Sequence, residues 1–536
     1  MSTNPSRDPS PSPSARRPLL AAISKSSSRH RSYDSIPDFR TPSTLFLPNI
    51  SQPQSTFVSQ SQSLLLIIYL TTATLLTSFT TGLLTTSLPT ISTSLSIPQN
   101  LMYWPLSITS LTSGSLLLLS SAISSIIGPR IIFLSGLFLF SLATLACGLS
   151  RSFTELVVAR GVQGVAMGMA LPSSVGIIGG FIEPGKQRNM AFAWMGLGGP
   201  VGFSMGLVSG GVMIVGVGWR VGWFGVAGVM GICWAVGWGW VLPEENITVE
   251  RGVLRGIRDK VDWIGVGLAS GGLGGLSYGL VQLSEARSVP KFEVAVSFGV
   301  GLGLLGLFPV WMGVAARSHR PVLIPNGIWK SLSFSSVCLM VMMSYAVMQI
   351  LELYSILFFQ KIKDLTALES SVRLLPSMVV GVGINFTLGL VIHRVSARYL
   401  VFFTSLACSV SPLLMAMIDP GWSYWLAAFP AQILHPVSSL LDIYQASLIV
   451  ISQQFEKLGP EMKAVAGGVF NTVAQLGTSL GLAVVGVIAY MVTENSGHED
   501  KEGKNALMAG YRAAFRTAFG IAVATAVIGL VGLKGV

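Results

Sequence analysis

Four ionisable side chains interrupt apolar stretches of this sequence: Arg160, Glu352, His435 and Asp442. A charge held at the middle of a bilayer costs about 3 kcal/mol or more. Chains keep one there where it meets water, a partner or a passing solute. An arginine in that setting orders a polar network, and a carboxyl takes up and releases a proton or receives a cation. Glu352 stands between Gln349 and Tyr354, and Asp442 follows Pro436, a kink position. Either acid also reads as a group near the interface or paired with a neighbour. Gln163, Asn385, Asn471 and Gln475 are amides in apolar surroundings, which bond helices together or line a path. The candidate pathway is therefore Arg160, Gln163, Glu352, Asp442, Asn471 and Gln475. Tyr345, Tyr354 and Phe359 offer an aromatic lining for amphipathic molecules, whereas Tyr103 and Trp104 are expected as interfacial anchors.

Other patterns carry no chemistry. The runs 202–206 and 477–481 fit the G-x-S-x-G pattern of hydrolases, around Ser204 and Ser479. That pattern needs a strand-turn-helix and a His/Asp pair, and both copies sit inside apolar helices. Gly301, Gly303 and Gly306 fit a dinucleotide fingerprint with no strand before it and no ribose-binding acid after it. The four cysteines, Cys147, Cys233, Cys338 and Cys408, have no paired spacing, so neither a disulfide framework nor a zinc site is indicated. No enzyme, cofactor or metal site is expected.

The elements that position the candidate residues are membrane helices. Of 536 residues, 51% are apolar and only 11% charged, against about 25% charged in soluble domains. Glycine, 59 residues, is abundant inside the apolar runs, as in closely packed membrane helices. Runs of about 20 apolar residues span a bilayer. They recur at 64–88, 102–127, 130–149, 154–180, 189–214, 220–241, 262–283, 292–315, 331–359, 371–392, 399–417, 422–450, 464–492 and 509–533. That is an all-α membrane protein of about fourteen helices. Alternating strand patterns are absent, which argues against a membrane barrel.

Residues 1–62 are rich in Ser, Pro and Arg without apolar periodicity and read as a disordered tail. An even helix count puts both termini on one side. Twenty-two Lys and Arg fall on the tail side and 11 on the other, so the termini are expected in the cytoplasm. The net charge of +11 thus reports membrane sidedness, and no nucleic-acid partner is expected. Trp219 and Trp223 at one end of helix 6, and Trp238 and Trp240 at the other, are expected as interfacial belts. The segment 243–261 places Val249, Val253, Ile257 and Val261 at four-residue spacing with Arg251, Arg255 and Arg258 between them. It reads as an amphipathic helix on the inner surface.

Two glycine helices match at an offset of 275: Gly202, Ser204, Gly206, Leu207 and Gly211 correspond to Gly477, Ser479, Gly481, Leu482 and Gly486. A parallel duplication of a six-helix unit explains the match, with the substrate path at the repeat interface. At the same offset His435 falls opposite Arg160. The expected division is an N-terminal bundle over 63–242, the amphipathic segment 243–261, two inserted helices and a linker over 262–330, and a C-terminal bundle over 331–536.

Helix 4 carries Arg160, Gly161, Gln163, Gly164, Gly168 and Pro172, and here the chain resembles the major facilitator superfamily. Asp262 with Gly265 at the start of helix 7 continues the likeness, as do Ser371, Arg373, Leu374, Leu375 and Pro376 in helix 10. Gly467, Asn471, Gln475, Gly477 and Gly481 in helix 13 carry it further. Gly199 and Pro200, followed by Gly202, Gly206, Gly210, Gly211, Trp219 and Arg220, are similar to the antiporter motif of helix 5. Together these residues resemble the fungal form of the fourteen-span drug:proton antiporter-2 family. The resemblance implies the major facilitator fold: two six-helix bundles plus two inserted helices. It implies export of drugs or secondary metabolites in exchange for protons by alternating access. A multi-pass monomer in the plasma membrane, rather than the vacuolar one, is the corresponding expectation. Two departures matter. Thr80 stands where many members carry a helix 1 acid, and Ser125 replaces the acid of the loop between helices 2 and 3. They keep open a proton-independent facilitator or uptake transporter, and, in another class, a transporter-like sensor.

Overall fold

The computed structural model describes residues 58–533 apart from 184, 244–257, 260, 285–290, 319, 392–396, 438–459 and 498–502. Fourteen α-helices lie among the described residues, with no strand. The first six are α1 (Gln60–Ser94), α2 (Trp104–Ile127), α3 (Pro129–Leu149), α4 (Phe153–Phe181), α5 (Lys186–Gly216) and α6 (Trp219–Val236). A hairpin follows, α7 (Trp263–Ser284) and α8 (Lys291–Arg317). The last six are α9 (Leu332–Leu357), α10 (Ala367–Val391), α11 (Ala397–Met417), α12 (Ala428–Leu434), α13 (Pro460–Glu494) and α14 (Lys504–Gly532). Eleven of the described helices are long and apolar enough to cross a membrane, and Trp263–Leu276 and Val401–Met417 add shorter apolar runs.

The sequence marks the helix ends. Ser59 and Gln62 form a reciprocal cap at the start of α1, and Ser152 and Ser331 accept the backbone N–H of Glu155 and Phe334 at the starts of α4 and α9. Each cap satisfies donors that lipid leaves unpartnered. Gly128 and Gly218 turn the chain into α3 and α6 with φ of 105° and 90°, where any side chain is strained. Two π-turns extend helices: Gly237–Val241 after α6 and Phe358–Ile362 after α9.

Within the first six helices, α1 packs along α5, α4 lies on α2 and α3, and α3 lies on α6. Within the last six, α9 packs on α13 and α14, and α11 on α14. The broadest joins between these groups are α2 with α13 and α5 with α10, and α1 also touches α9 and α10. The α7–α8 hairpin lies against α2 and α13, with the Ser270 hydroxyl donating to the Ser115 carbonyl at 3.3 Å. Gly301 meets Gly272, Gly275 and Leu276 across the hairpin, so that glycine run is a packing seam.

The repeat seen in the sequence is also a repeat of contact. A Cβ on Gly202 or Gly206 of α5 would lie 2.1 Å from the Leu75 or Phe79 carbonyl oxygen of α1. A Cβ on Gly477 would lie 2.1 Å from the Met342 carbonyl oxygen, and one on Gly481 would lie 2.5 Å from the Ala346 Cβ, both on α9. Backbones that close leave no room for a methyl group. Gly202→Ala and Gly477→Ala are each expected to destabilise the protein by about 1–3 kcal/mol or more. Gly225→Ala, with nothing within 4 Å of the added carbon, is expected to be neutral. Thermal unfolding of the three detergent-solubilised variants checks this.

Several expectations change. Trp219 and Trp223 are 5% and 0% exposed, so they belong to the interior and not to an interfacial belt. Their end of α6 packs on α3 and α1, with Trp223 against Gly148 and Gly222 against Leu83, whereas Trp238 and Trp240 stay exposed. Helix 12 begins at Ala428 and not near 422. The stretch before it is a turn after Pro420 and Gly421, pinned by the Lys363 ammonium on the Pro420 and Trp422 carbonyls. Partial burial, with Arg373 nearby, lowers the Lys363 pKa from its ordinary value. The tail up to residue 57 and nearly all of the amphipathic segment lie outside the described residues.

Candidate functional site

Arg160 sits in α4, 1% exposed, with neutral partners only among the described residues. Its Nε donates to the Pro105 carbonyl of α2 at 3.0 Å, and a terminal nitrogen donates to Gln163 Oε1 one turn along. Gln163 Nε2 continues to the Thr144 hydroxyl of α3 at 2.8 Å. The guanidinium lies 5.8 Å from the ring centre of Trp223 in α6, a favourable placement for a cation. Four helices thus converge on one buried positive charge. The i, i+3 spacing of Arg160 and Gln163 foretells their bond. Thr144 and Trp223 come from distant segments that no local pattern marks.

Glycines bring α2 and α4 close enough for this. A Cβ on Gly164 would lie 2.0 Å from the Thr112 hydroxyl and 2.2 Å from the Thr109 carbonyl, and one on Gly168 would lie 3.0 Å from the Ser113 carbonyl. Thr109 and Thr112 also donate to the Arg160 and Gly161 carbonyls, at 3.1 and 2.9 Å. Pro172 lies inside α4, and Gly199 and Pro200 inside α5, where Ser204 donates to the Pro200 carbonyl at 2.6 Å. The Ser204 hydroxyl is therefore spent within its own helix.

Glu352 is the buried acid of the last six helices, 5% exposed, and its Oε2 has no hydrogen-bond partner among the described residues. Met348, Glu352 and Ser355 share one face of α9 by helical spacing. That face meets α12: His435 hydrogen-bonds the Met348 backbone, and Gln432 Nε2 lies 3.4 Å from the Ser355 hydroxyl. Glu352 lies between those two contacts. His435 Nδ1 is 2.9 Å from the Ser377 hydroxyl of α10. Glu352 and His435, read separately in the sequence, therefore belong to one polar seam with Ser355, Ser377 and Gln432. Glu352 also lies six residues beyond the α9–α13 contact at Ala346. Thr85 lies six beyond the matching α1–α5 contact at Phe79. An acid is absent from α1 at Thr80, whose hydroxyl bonds the Thr77 carbonyl at 2.8 Å, yet one stands on the related helix. Asp442 and the Asn385 side chain lie outside the described residues.

The other candidate amides lie on α13. Asn471 Nδ2 donates to the Gly467 carbonyl of its own helix at 3.0 Å. Gln475 rests on α2, its Cβ 3.0 Å from where a Cβ on Gly114 would be. One turn further, Ser107 of α2 and Ser479 of α13 place their hydroxyls 3.0 Å apart, so Ser479 is an inter-helix contact. Thr86 of α1 donates to the Leu207 carbonyl of α5 at 3.1 Å and faces Ser371 of α10 at 3.3 Å. Ser371 shares the Leu207 carbonyl, and Gln360 from the π-turn reaches the Thr86 carbonyl at 3.0 Å. These neutral groups join the first and last six helices at the end carrying connections 95–103 and 363–366.

Asp262 and Gly265 form a local device. Asp262 Oδ1 accepts the Gly265 N–H at 2.8 Å and the Trp311 indole at 2.9 Å, and a Cβ on Gly265 would lie 2.2 Å from Asp262 Oδ2. The pair starts α7 and ties it to α8. Ser125 is exposed and bonds its own helix at the Ala122 carbonyl. Tyr103 and Trp104, expected at the interface, are 6% and 8% exposed. The Tyr103 ring sits against Gly486 of α13, where a Cβ would lie 2.1 Å from it.

A family model described as Major Facilitator Superfamily matches residues 70–482. A protein named MFS-type transporter 1, from Pyricularia oryzae, is 32% identical over 525 residues, spanning 89% of this chain and 84% of that protein. Efflux pump terG of Aspergillus terreus is 24% identical over 438 residues, spanning 80% of this chain and 79% of the pump. Among solved structures, a bacterial homologue of the human lysosomal transporter Spinster, inward-facing and occupied, superposes with a TM-score of 0.58 at 17% identity. That superposition covers 89% of this chain and 98% of the homologue.

Proposed function

This chain belongs to the Major Facilitator Superfamily, and on that premise we propose that it exports small organic compounds, drugs or secondary metabolites, in exchange for protons. The chain is a transporter and not an enzyme. The observation that carries the proton half of this reading is Glu352, a buried carboxyl with one oxygen unpartnered among the described residues, on a polar seam between packed helices. A carboxyl there is neutral when protonated and charged when not, so its exposure to either side depends on the proton it holds. Arg160 and Gln163 organise the first bundle. Asn471 and Gln475 line the path beside the α2–α13 contact. Asp442 is the second acid able to carry the coupling charge. The two bundles, taken as 63–242 and 331–536, rock about the path between them, while the repeat glycines, expected to let the halves slide, instead hold α5 on α1 and α13 on α9 inside each bundle. The molecule works as a monomer in the plasma membrane with both termini in the cytoplasm.

The names of relatives support the direction of transport: efflux pump terG, and the puromycin resistance protein pur8 of Streptomyces alboniger, 24% identical over 450 residues. A second reading, proton-independent facilitation or uptake, draws on Thr80, which is buried and bonded within its own helix. Purified protein in sealed vesicles separates the two. With a pH difference of one unit imposed in the favourable direction, antiport accumulates a fluorescent cationic dye about tenfold per proton exchanged, the equivalent of about 1.4 kcal/mol. Dye uptake unchanged by collapse of the gradient overturns antiport in favour of facilitation.

A further inference from the structure

We propose that Gln360 is the positioning residue that sets how often the molecule opens at the end carrying connections 95–103 and 363–366, while the hydroxyls beside it leave that balance nearly untouched. The inference goes beyond the export reading and rests on its alternating access alone. At this end the bundles meet closely. A Cβ on Gly211 of α5 would lie 2.7 Å from the Leu368 Cα of α10. One turn away, Thr86 and Leu207 of the first bundle face Ser371 and Gln360 of the second. The two hydroxyls there are self-sufficient. A hydroxyl has one hydrogen to donate. Ser371 has two acceptors at the same 2.8 Å: the Leu207 carbonyl across the junction and the Ala367 carbonyl of its own helix. Thr86 has the Ser371 oxygen across the junction at 3.3 Å and the Leu207 carbonyl of its own bundle at 3.1 Å. When the bundles part, each hydroxyl turns about its C–O bond onto the acceptor that travels with it. No buried donor is stranded, so the cost of an unpaired group does not arise. A bond replaced like for like favours neither state.

Gln360 has no such reserve among the described residues. Its Nε2 donates to the Thr86 carbonyl of α1 at 3.0 Å, its sole hydrogen bond there. Its placement is built into the chain. The π-turn Phe358–Ile362 adds one residue to the end of α9, with the Lys363 N–H reaching back five residues to the Phe358 carbonyl at 3.1 Å. Phe358 and Phe359 are 0% and 1% exposed and anchor the turn in the core, and the residue after them is delivered to α1. Such turns recur at functional sites. The Gln360 bond exists only while this end is shut, and on opening the amide exchanges the Thr86 carbonyl for water. The net value of one such bond shifts a two-state balance about five- to tenfold.

The test is amide hydrogen exchange, read by peptide mass, on the full chain in lipid nanodiscs. In Gln360→Met, exchange in the peptides holding 85–94 of α1 and 367–374 of α10 is expected to rise about fivefold or more. Exchange at the far ends of α2 and α13 is expected to fall in the same sample, because a molecule open at one end is shut at the other. Ser371→Ala, although it removes the shorter bond, is expected to change each of these by less than about twofold. A shift in Ser371→Ala as large as that in Gln360→Met overturns the proposal. So does a rise at this end with no fall at the other, which is local fraying and not a change of facing. If Gln360→Met fails to fold, Gln360→Glu, which keeps the shape and turns an acceptor toward the Thr86 carbonyl, gives the same reading. Gradient-driven dye accumulation is measured on the same preparations. Dye transport by the unaltered protein with no shift in the Gln360 variant sinks the role of Gln360 alone. The reciprocal shift without any transport sinks the export reading alone.

Discussion

Replacing Arg160 by alanine is expected to abolish dye export while the protein still inserts into the membrane. Insertion survives because removing a mid-helix arginine relieves about 2.5–3.5 kcal/mol of transfer cost. The damage falls on the network. Pro105 and Gln163 lose a charged donor, Thr144 loses the fixed orientation of its partner, and the Trp223 face loses its cation. Hydrogen bonds to charged groups are worth about 1.5–3 kcal/mol each, so the junction of α2, α3, α4 and α6 no longer holds one arrangement. Arg160→Lys keeps the charge but cannot span both Pro105 and Gln163 from one point, and about a tenfold loss of flux is expected. Surface labelling of intact cells measures insertion, and vesicle flux measures transport. Normal flux in the alanine variant refutes the role given to this side chain.

The second large effect is on coupling. Glu352→Gln keeps the shape of the protonated acid and removes its ability to release the proton. Downhill dye exchange persists, and the roughly tenfold accumulation driven by one pH unit falls to about onefold. Asp442→Asn is the companion variant. Uncoupling by that change with coupling intact in Glu352→Gln transfers the role to Asp442. Tightness of coupling is read by comparing accumulation with and without a protonophore.

Much of this architecture is written in the apolar runs. The expected helices at 102–127, 130–149 and 154–180 differ from α2, α3 and α4 by one to two residues at most ends, because capping serines, glycines and prolines mark those ends. The glycine repeat was also legible, since close backbone contact demands the same residue at the same spacing. Tryptophan position was less so. Trp219, Trp223 and Trp104 sit at helix ends, as interfacial anchors do, yet they are covered by neighbouring helices. Hydropathy reports depth in the bilayer and not lateral packing. The π-turn that swings Gln360 onto Thr86 has no sequence signature of its own, and the seam joining Glu352, Ser377, Gln432 and His435 needs the facing of three helices. One-dimensional spacing gives each face but not which faces meet.

The α7–α8 hairpin has a further consequence. It roofs the junction of α2 with α13 and leaves its own outer surface, Phe292, Val296, Val300 and Leu307 among it, turned outward. The hairpin therefore stands as an apolar screen between the α2–α13 junction and the surroundings of that flank, so its removal is expected to lay that junction bare.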